Sequence, residues 1–184
     1  KSEFKEIRQN ALFLKAVSLY NVGLYKESIN YFEKSVENNY SPRNTVASKY
    51  WISRGLFEEG EYERSLKILL ELKTERKFMS GLDKEIFIDY DIAYSYLKLS
   101  QYNLAVSAFN ESLGSSFSEL YRYDSYLRIA DCYFVLKNYS SAVENYRRAI
   151  KLNKRPTYPY FQIALSYGLL EKPLEKINQL KSII

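Results

Sequence analysis

Histidine is absent from this 184-residue chain. Its absence removes the commonest general base, the commonest metal ligand and every Ser-His or Cys-His nucleophile system together. One cysteine, Cys132, excludes an internal disulfide and any zinc cluster built on cysteine pairs. There is no glycine-rich loop ending in Lys-Ser or Lys-Thr to cradle a phosphate. No apolar stretch approaches the roughly 18 residues that a membrane span needs. With only six glycines and four prolines there is little to interrupt long helices. The chain opens Lys1-Ser2-Glu3-Phe4, without an initiator Met or a signal-peptide pattern, and a leader removed upstream would leave the same start. These absences predict a protein that is not an enzyme and has no cofactor and no metal.

What is abundant is aromatic: 19 Tyr and 10 Phe against one Trp, in a chain that is 46% apolar. Tyrosine buries a ring while keeping its hydroxyl near water, which suits packed helices with wet edges. The 27 basic and 22 acidic residues are interleaved, and a net charge of +5 speaks to solubility rather than to a ligand. Glu58, Glu59, Glu61 and Glu63 surround Gly60, where a solvated helix junction explains them better than a pair of catalytic carboxylates. The densest basic segment is Arg147, Arg148, Lys151, Lys154 and Arg155. A polyanion would release counterions on binding such a cluster. The cluster is local, however, and sits where a helix C-terminus favours cations, so no nucleic-acid partner is expected.

A small residue followed nine positions later by an aromatic or proline recurs five times: Ala16–Tyr25, Ser53–Tyr62, Ala93–Tyr102, Ala130–Tyr139 and Ala164–Pro173. The second members are 37, 40, 37 and 34 residues apart, a period that means stacked supersecondary units. Within each unit the first helix carries apolar stripes at helical spacing, with the small residue mid-stripe, as in Leu12-Ala16-Leu19 and Tyr126-Ala130-Tyr133. A small side chain there lets the second helix approach closely. Turns follow at Gly23-Leu24, Gly60-Glu61, Ser100-Gln101, Asn138 and Glu171-Lys172, where glycine permits a left-handed helix end. Second helices repeat an aromatic, a small residue three on and a large one four later, as in Tyr139-Ala142-Tyr146-Ala149.

These columns resemble the tetratricopeptide repeat (TPR) family. The match is most specific from Ala130 to Ala149, ending with Pro156, and is good from Ala93 to Leu113 and from Ala16 to Val36. The second unit departs from the pattern with Ser53, Ser65 and a leucine-rich second helix. The fifth departs with Pro173 opening its second helix and Lys176 in the small column, so looser pairing is expected there. The resemblance implies an all-α fold: a right-handed α-solenoid of about five helix-turn-helix repeats in antiparallel pairs, whose first helices line a concave groove. The expected organisation is a single array over 1–184, with repeats near 9–42, 46–79, 86–119, 123–156 and 157–184. It is also expected to be a piece of a longer protein, because Ile183 and Ile184 continue the apolar columns without a polar cap. Strings in the last two units, from Asp124 to Phe134 and from Ala164 to Ile177, look like units of large bacterial cell-envelope TPR proteins, a likeness that implies the periplasmic side of the bacterial cell envelope and leaves the cytoplasm open.

A second stripe on each first helix, one residue along from the packed one, should face that groove. Its members make the candidate partner-binding set: Phe13, Tyr20, Tyr50, Arg54, Phe57, Tyr90, Tyr94, Asp131, Phe134 and Phe161. Aromatic anchors with one cation and one acid suit a peptide segment or partner protein, its acidic end toward Arg54. The same rings would serve equally to pack neighbouring first helices. The expected function is a non-catalytic protein-binding scaffold. The alternative is a structural, self-associating array, with homo-association through the C-terminal helix.

Overall fold

The computed structural model describes residues 2–74, 87–114, 118–152 and 157–181. Ten helices and no strand occur among them. They divide into two compact units, residues 1–99 and 100–184. The first holds α1 (Ser2–Asn21), α2 (Tyr25–Asn38), α3 (Pro42–Glu58), α4 (Tyr62–Thr74) and α5 (Ile88–Lys98). The second holds α6 (Tyr102–Leu113), α7 (Glu119–Val135), α8 (Tyr139–Leu152), α9 (Thr157–Leu169) and α10 (Pro173–Lys181). Within each unit every helix packs on the next in sequence.

The nine-residue spacing becomes a helix end, a tight turn and a helix start. Gly23 and Gly60 take the left-handed backbone with φ of 80° and 82°. At each, two amides reach back into the last turn of the helix: Gly23 to Tyr20 and Leu24 to Leu19, then Gly60 to Phe57 and Glu61 to Leu56. This pair of bonds satisfies carbonyls that a helix end otherwise orphans. The same pair closes α7 through Lys137 and Asn138, and α9 through Glu171 and Lys172. There the left-handed residue is Lys137, not the neighbouring Asn138, whose side chain instead accepts from the Ser141 amide at 3.2 Å. A side chain at positive φ is strained, and here the two reach-back bonds offset that strain.

The small column behaves as its spacing requires. Ala16, Ser53, Ala93, Ala130 and Ala164 are all buried. Opposite Ala16, the Ser28 hydroxyl donates to the Ala16 carbonyl at 2.9 Å, so the second helix sits within hydrogen-bond reach of the first. Gly55 gives α2 similar room: a Cβ on it would lie 2.8 Å from Cγ1 of Ile29. The core of the first unit gathers Ala16, Phe32, Ile52 and Leu56, with Trp51 against them. In the second unit Leu127, Ala130, Tyr146, Ile163 and Tyr167 play that part.

The fifth helix pair differs as its sequence does. No residue of α10 is buried, and Leu174 is 72% exposed. The lysine in the small column still packs, since its aliphatic stem lies against Gly168, 3.4 Å from where a Cβ would stand. Ile183 and Ile184 lie outside the described residues. No described helix is long and apolar enough to cross a membrane.

Candidate partner-binding site

In the first unit α3, α4 and α5 enclose a pocket of about 200 Å³. Its wall is formed by Ser53, Arg54, Phe57 and Glu58 of α3, Ser65 and Leu69 of α4, and Tyr90, Asp91 and Tyr94 of α5. Four residues of the expected set therefore meet here: Arg54, Phe57, Tyr90 and Tyr94. The Tyr90 and Tyr94 rings stand edge to face, 5.0 Å apart. Phe57 packs the same way on Tyr62, 5.1 Å away across the turn.

Tyr50, expected to face a partner, is fully buried. Its hydroxyl donates to Oδ2 of Asp91 at 2.7 Å and accepts from the Phe87 amide at 3.3 Å. A ring with no exposed surface is a core residue, and its part in the site is to hold Asp91.

Nor is Arg54 the unopposed cation that the stripe suggests. Burial alone would lower its pKa, but Asp91 and then the Tyr50 and Tyr20 hydroxyls reverse this and raise it. The guanidinium also lies 5.7 Å from the centre of the Trp51 ring. Its charge is answered within the chain.

Asp91 is the residue the sequence reading missed. It sits one position beyond Tyr90 of the second stripe, and only the fold places it against a residue 41 positions back. Burial pushes its carboxyl up to about 6; Arg54 and the Tyr50 hydroxyl oppose that, and Glu58 adds to it. The ordinary value is 3.8, so between that and about 6 the folded chain binds more protons than the unfolded one. This contribution to stability is complete below pH 4 and is lost as the pH rises through 6. Urea unfolding of Asp91→Asn against the parent should show this, the variant losing a pH-dependent component on the order of 2 kcal/mol between pH 4 and pH 7.

Of the remaining members of the set, all but Phe161 are packed in place by neighbours. Phe13 lies edge-on to Phe32 at 5.6 Å, and Tyr20 edge-on to Tyr25 at 5.2 Å and Trp51 at 5.0 Å. In the second unit Phe134 meets Tyr139 at 5.4 Å. Tyr20, Phe57 and Phe134 thus share one role, each closing the turn onto the aromatic five residues later. Asp131 is not a free acid: it accepts from the hydroxyls of Tyr146 at 2.7 Å and Tyr158 at 2.9 Å, and pairs with Arg128 at 2.7 Å. Phe161 remains 49% exposed.

The basic segment is tied down likewise. Arg147 donates to the Tyr167 hydroxyl at 2.7 Å, and Arg148 pairs with Glu144 one helical turn back. Lys154 and Arg155 lie outside the described residues. Cys132 is buried, and burial with Asp131 alongside pushes its thiol up to about 12, so it is a packed side chain rather than a nucleophile. No group of three acidic or cysteine side chains able to hold a metal occurs among the described residues.

Helix pairs of this kind, closed by the same turn and packed through the same small column, define a class of helical-repeat interaction modules. Models of the tetratricopeptide repeat match residues 9–41, on α1 and α2, and residues 123–156, on α7 and α8. It is 28% identical over 169 residues to the TPR repeat-containing protein MJ1428 of Methanocaldococcus jannaschii. That alignment covers 86% of this chain and 27% of the relative, so the chain spans about a quarter of that protein's length. Among solved structures, MamA from Desulfovibrio magneticus RS-1 superposes with a TM-score of 0.77 at 12% identity, covering 96% of this chain and 93% of that one. MamA AMB-1 gives 0.73 at 17% identity, covering 97% and 91%. The fold is the all-α solenoid of TPR proteins.

Proposed function

We propose that this chain is a non-catalytic scaffold that binds a protein partner through an extended segment, anchored in the pocket between α3, α4 and α5. The observation that carries the reading is the meeting of three aromatic rings, Phe57, Tyr90 and Tyr94, with charged groups around a cavity large enough for a side chain. Binding energy concentrates where aromatic and arginine side chains form a desolvated pocket. Tyr94 tests this most cleanly. It lines the pocket without belonging to the buried core, so its truncation removes contact surface and spares the fold. A pull-down with the purified chain should lose its specific partner when Tyr94 becomes Ala, a cost of about 2 kcal/mol or more, with helical circular dichroism unchanged. Arg147→Glu with Arg148→Glu should keep the partner. If the basic pair proves essential and the Tyr94 change is silent, the functional surface lies elsewhere.

One observation favours self-association as a second reading. The final helix α10 buries no residue and exposes Leu174 and Ile177, apolar side chains that a second copy would cover. Light scattering over a range of concentrations separates the readings, since a scaffold for another protein stays monomeric.

A further inference from the structure

The wall of the α3–α4–α5 pocket carries two carboxylates, Asp91 and Glu58, against one guanidinium, Arg54. Arg54 is already engaged by Asp91 and by the Tyr50 and Tyr20 hydroxyls, so the excess charge of the wall is negative. Tyr50 occupies one oxygen of Asp91, Oδ2; the other, Oδ1, has no hydrogen-bond partner among the described residues. An independent feature belongs to the same wall. Ser65 is 1% exposed, and its hydroxyl oxygen is buried with no hydrogen-bond partner, yet it forms part of the pocket wall. A buried hydroxyl left unpaired costs free energy, so a group arriving from outside with a hydrogen to donate relieves a standing penalty.

We propose that the pocket receives a lysine side chain of the partner segment. An ammonium offers three donors, and the wall offers three kinds of acceptor: the free oxygen of Asp91, the Ser65 hydroxyl and the Glu58 carboxylate. The four-carbon stem has Leu69 and the Phe57 ring to lie against, while the faces of Tyr90 and Tyr94 favour a cation. A carboxylate would meet two acids in the wall against the one guanidinium, Arg54. The orientation expected from Arg54 alone is thereby reversed: the partner presents a basic side chain here. This inference rests on the pocket being the docking site and adds the chemistry of what enters it.

The polarity also sets a pH dependence. The titratable groups around Asp91 are Tyr50, Arg54 and Glu58 on α3 and Tyr90 and Tyr94 on α5; from α4 the pocket is faced by Ser65 and Leu69, which do not titrate. Protonation of Asp91 removes one negative charge from the wall, so a cation should bind less well at pH 5 than at pH 7.5.

The test uses the whole chain, labelled with nitrogen-15 and titrated with Nα-acetyl-lysine methylamide. Its uncharged norleucine counterpart and the glutamate counterpart serve as competitors in chemistry. Amide shifts centred on residues 53–58, 65 and 90–94 are expected, with the lysine probe at least tenfold tighter than norleucine at pH 7.5 and severalfold weaker at pH 5. Glu58 is exposed, so Glu58→Gln leaves the fold alone and should weaken the lysine probe severalfold. Equal binding of lysine and norleucine, or preference for glutamate, overturns the proposal. Loss of the partner on Tyr94→Ala, together with indifference to the lysine probe, would leave the docking site standing and refute only its chemistry. Retention of the partner by Tyr94→Ala would refute the docking site itself.

Discussion

Replacing Gln9 by Ala is expected to cost about 3 kcal/mol and to loosen α1 before anything else unfolds. Gln9 is fully buried, which is rare for an amide side chain. Its Nε2 donates to the Ser35 carbonyl at 3.0 Å and to the Thr45 hydroxyl at 3.2 Å, while its Oε1 accepts from the Ser41 amide at 2.7 Å. One side chain thus ties the first helix to the end of the second and the start of the third. Alanine leaves the buried Ser35 carbonyl and the partly buried Ser41 amide unpaired, at up to about 1–3 kcal/mol each, and opens a void besides. Elsewhere on α1 only Ala16 is buried among the described side chains, with Phe13 and Val17 partly so, while Phe4, Ile7 and Leu14 are exposed. Hydrogen exchange should show the amides of α1 losing protection while those of α7 and α8 keep theirs. Asn10→Ala, one residue along and exposed, should change stability by less than about 0.5 kcal/mol. Equal effects from the two substitutions would mean that the buried bonds of Gln9 contribute nothing.

Arg54→Glu is expected to destabilise the first unit by about 3 kcal/mol or more, and not merely to alter binding. On a stripe that merely faces the groove, such a substitution would leave the helices intact. The structure places the new carboxylate next to Asp91, with Glu58 one helical turn on, and removes the cation that offsets them. Asp91 is already held above the usual carboxylate range by burial, so losing Arg54 raises it further and leaves a neutral or unpaired acid. The midpoint of urea unfolding should fall, and fall more at pH 8 than at pH 5, because protonating the acids relieves the repulsion. Arg54→Met, which keeps the stem and introduces no charge, should cost less. A fully folded Arg54→Glu chain with the parent's unfolding midpoint would show that the guanidinium is solvent-paired after all.

The turn at residues 16–25 shows how much could be read locally. A buried alanine, a glycine at positive φ and an aromatic opening the next helix are all dictated within ten consecutive residues. Each requirement is steric: close approach of two helices, a backbone region that excludes side chains, and a ring to cover the junction. Repetition of that pattern accounts for the helical pairs and for the resemblance to tetratricopeptide repeats. Tyr20 and Phe57 were also visible as a stripe, but their edge-on contacts with the aromatic five residues later identify them as closing the turn.

What the linear order could not contain was which charges would be answered. Tyr50 and Asp91 are 41 positions apart, and Tyr158 and Asp131 are 27 apart. Their pairing depends on how far one helix stands from the next and on the rotation of each about its axis. Periodicity constrains both loosely, because a one-residue shift along a helix turns a side chain by about a quarter of a circle. So Arg54 and Asp131 read as free ions and are not, and Tyr50 reads as exposed and is buried. The unpaired Ser65 hydroxyl carried no signal at all, since in sequence it is one more small residue in a second helix. The sequence determined that helices pair here and where they turn; only their packing in three dimensions decided which polar groups remain open to a partner.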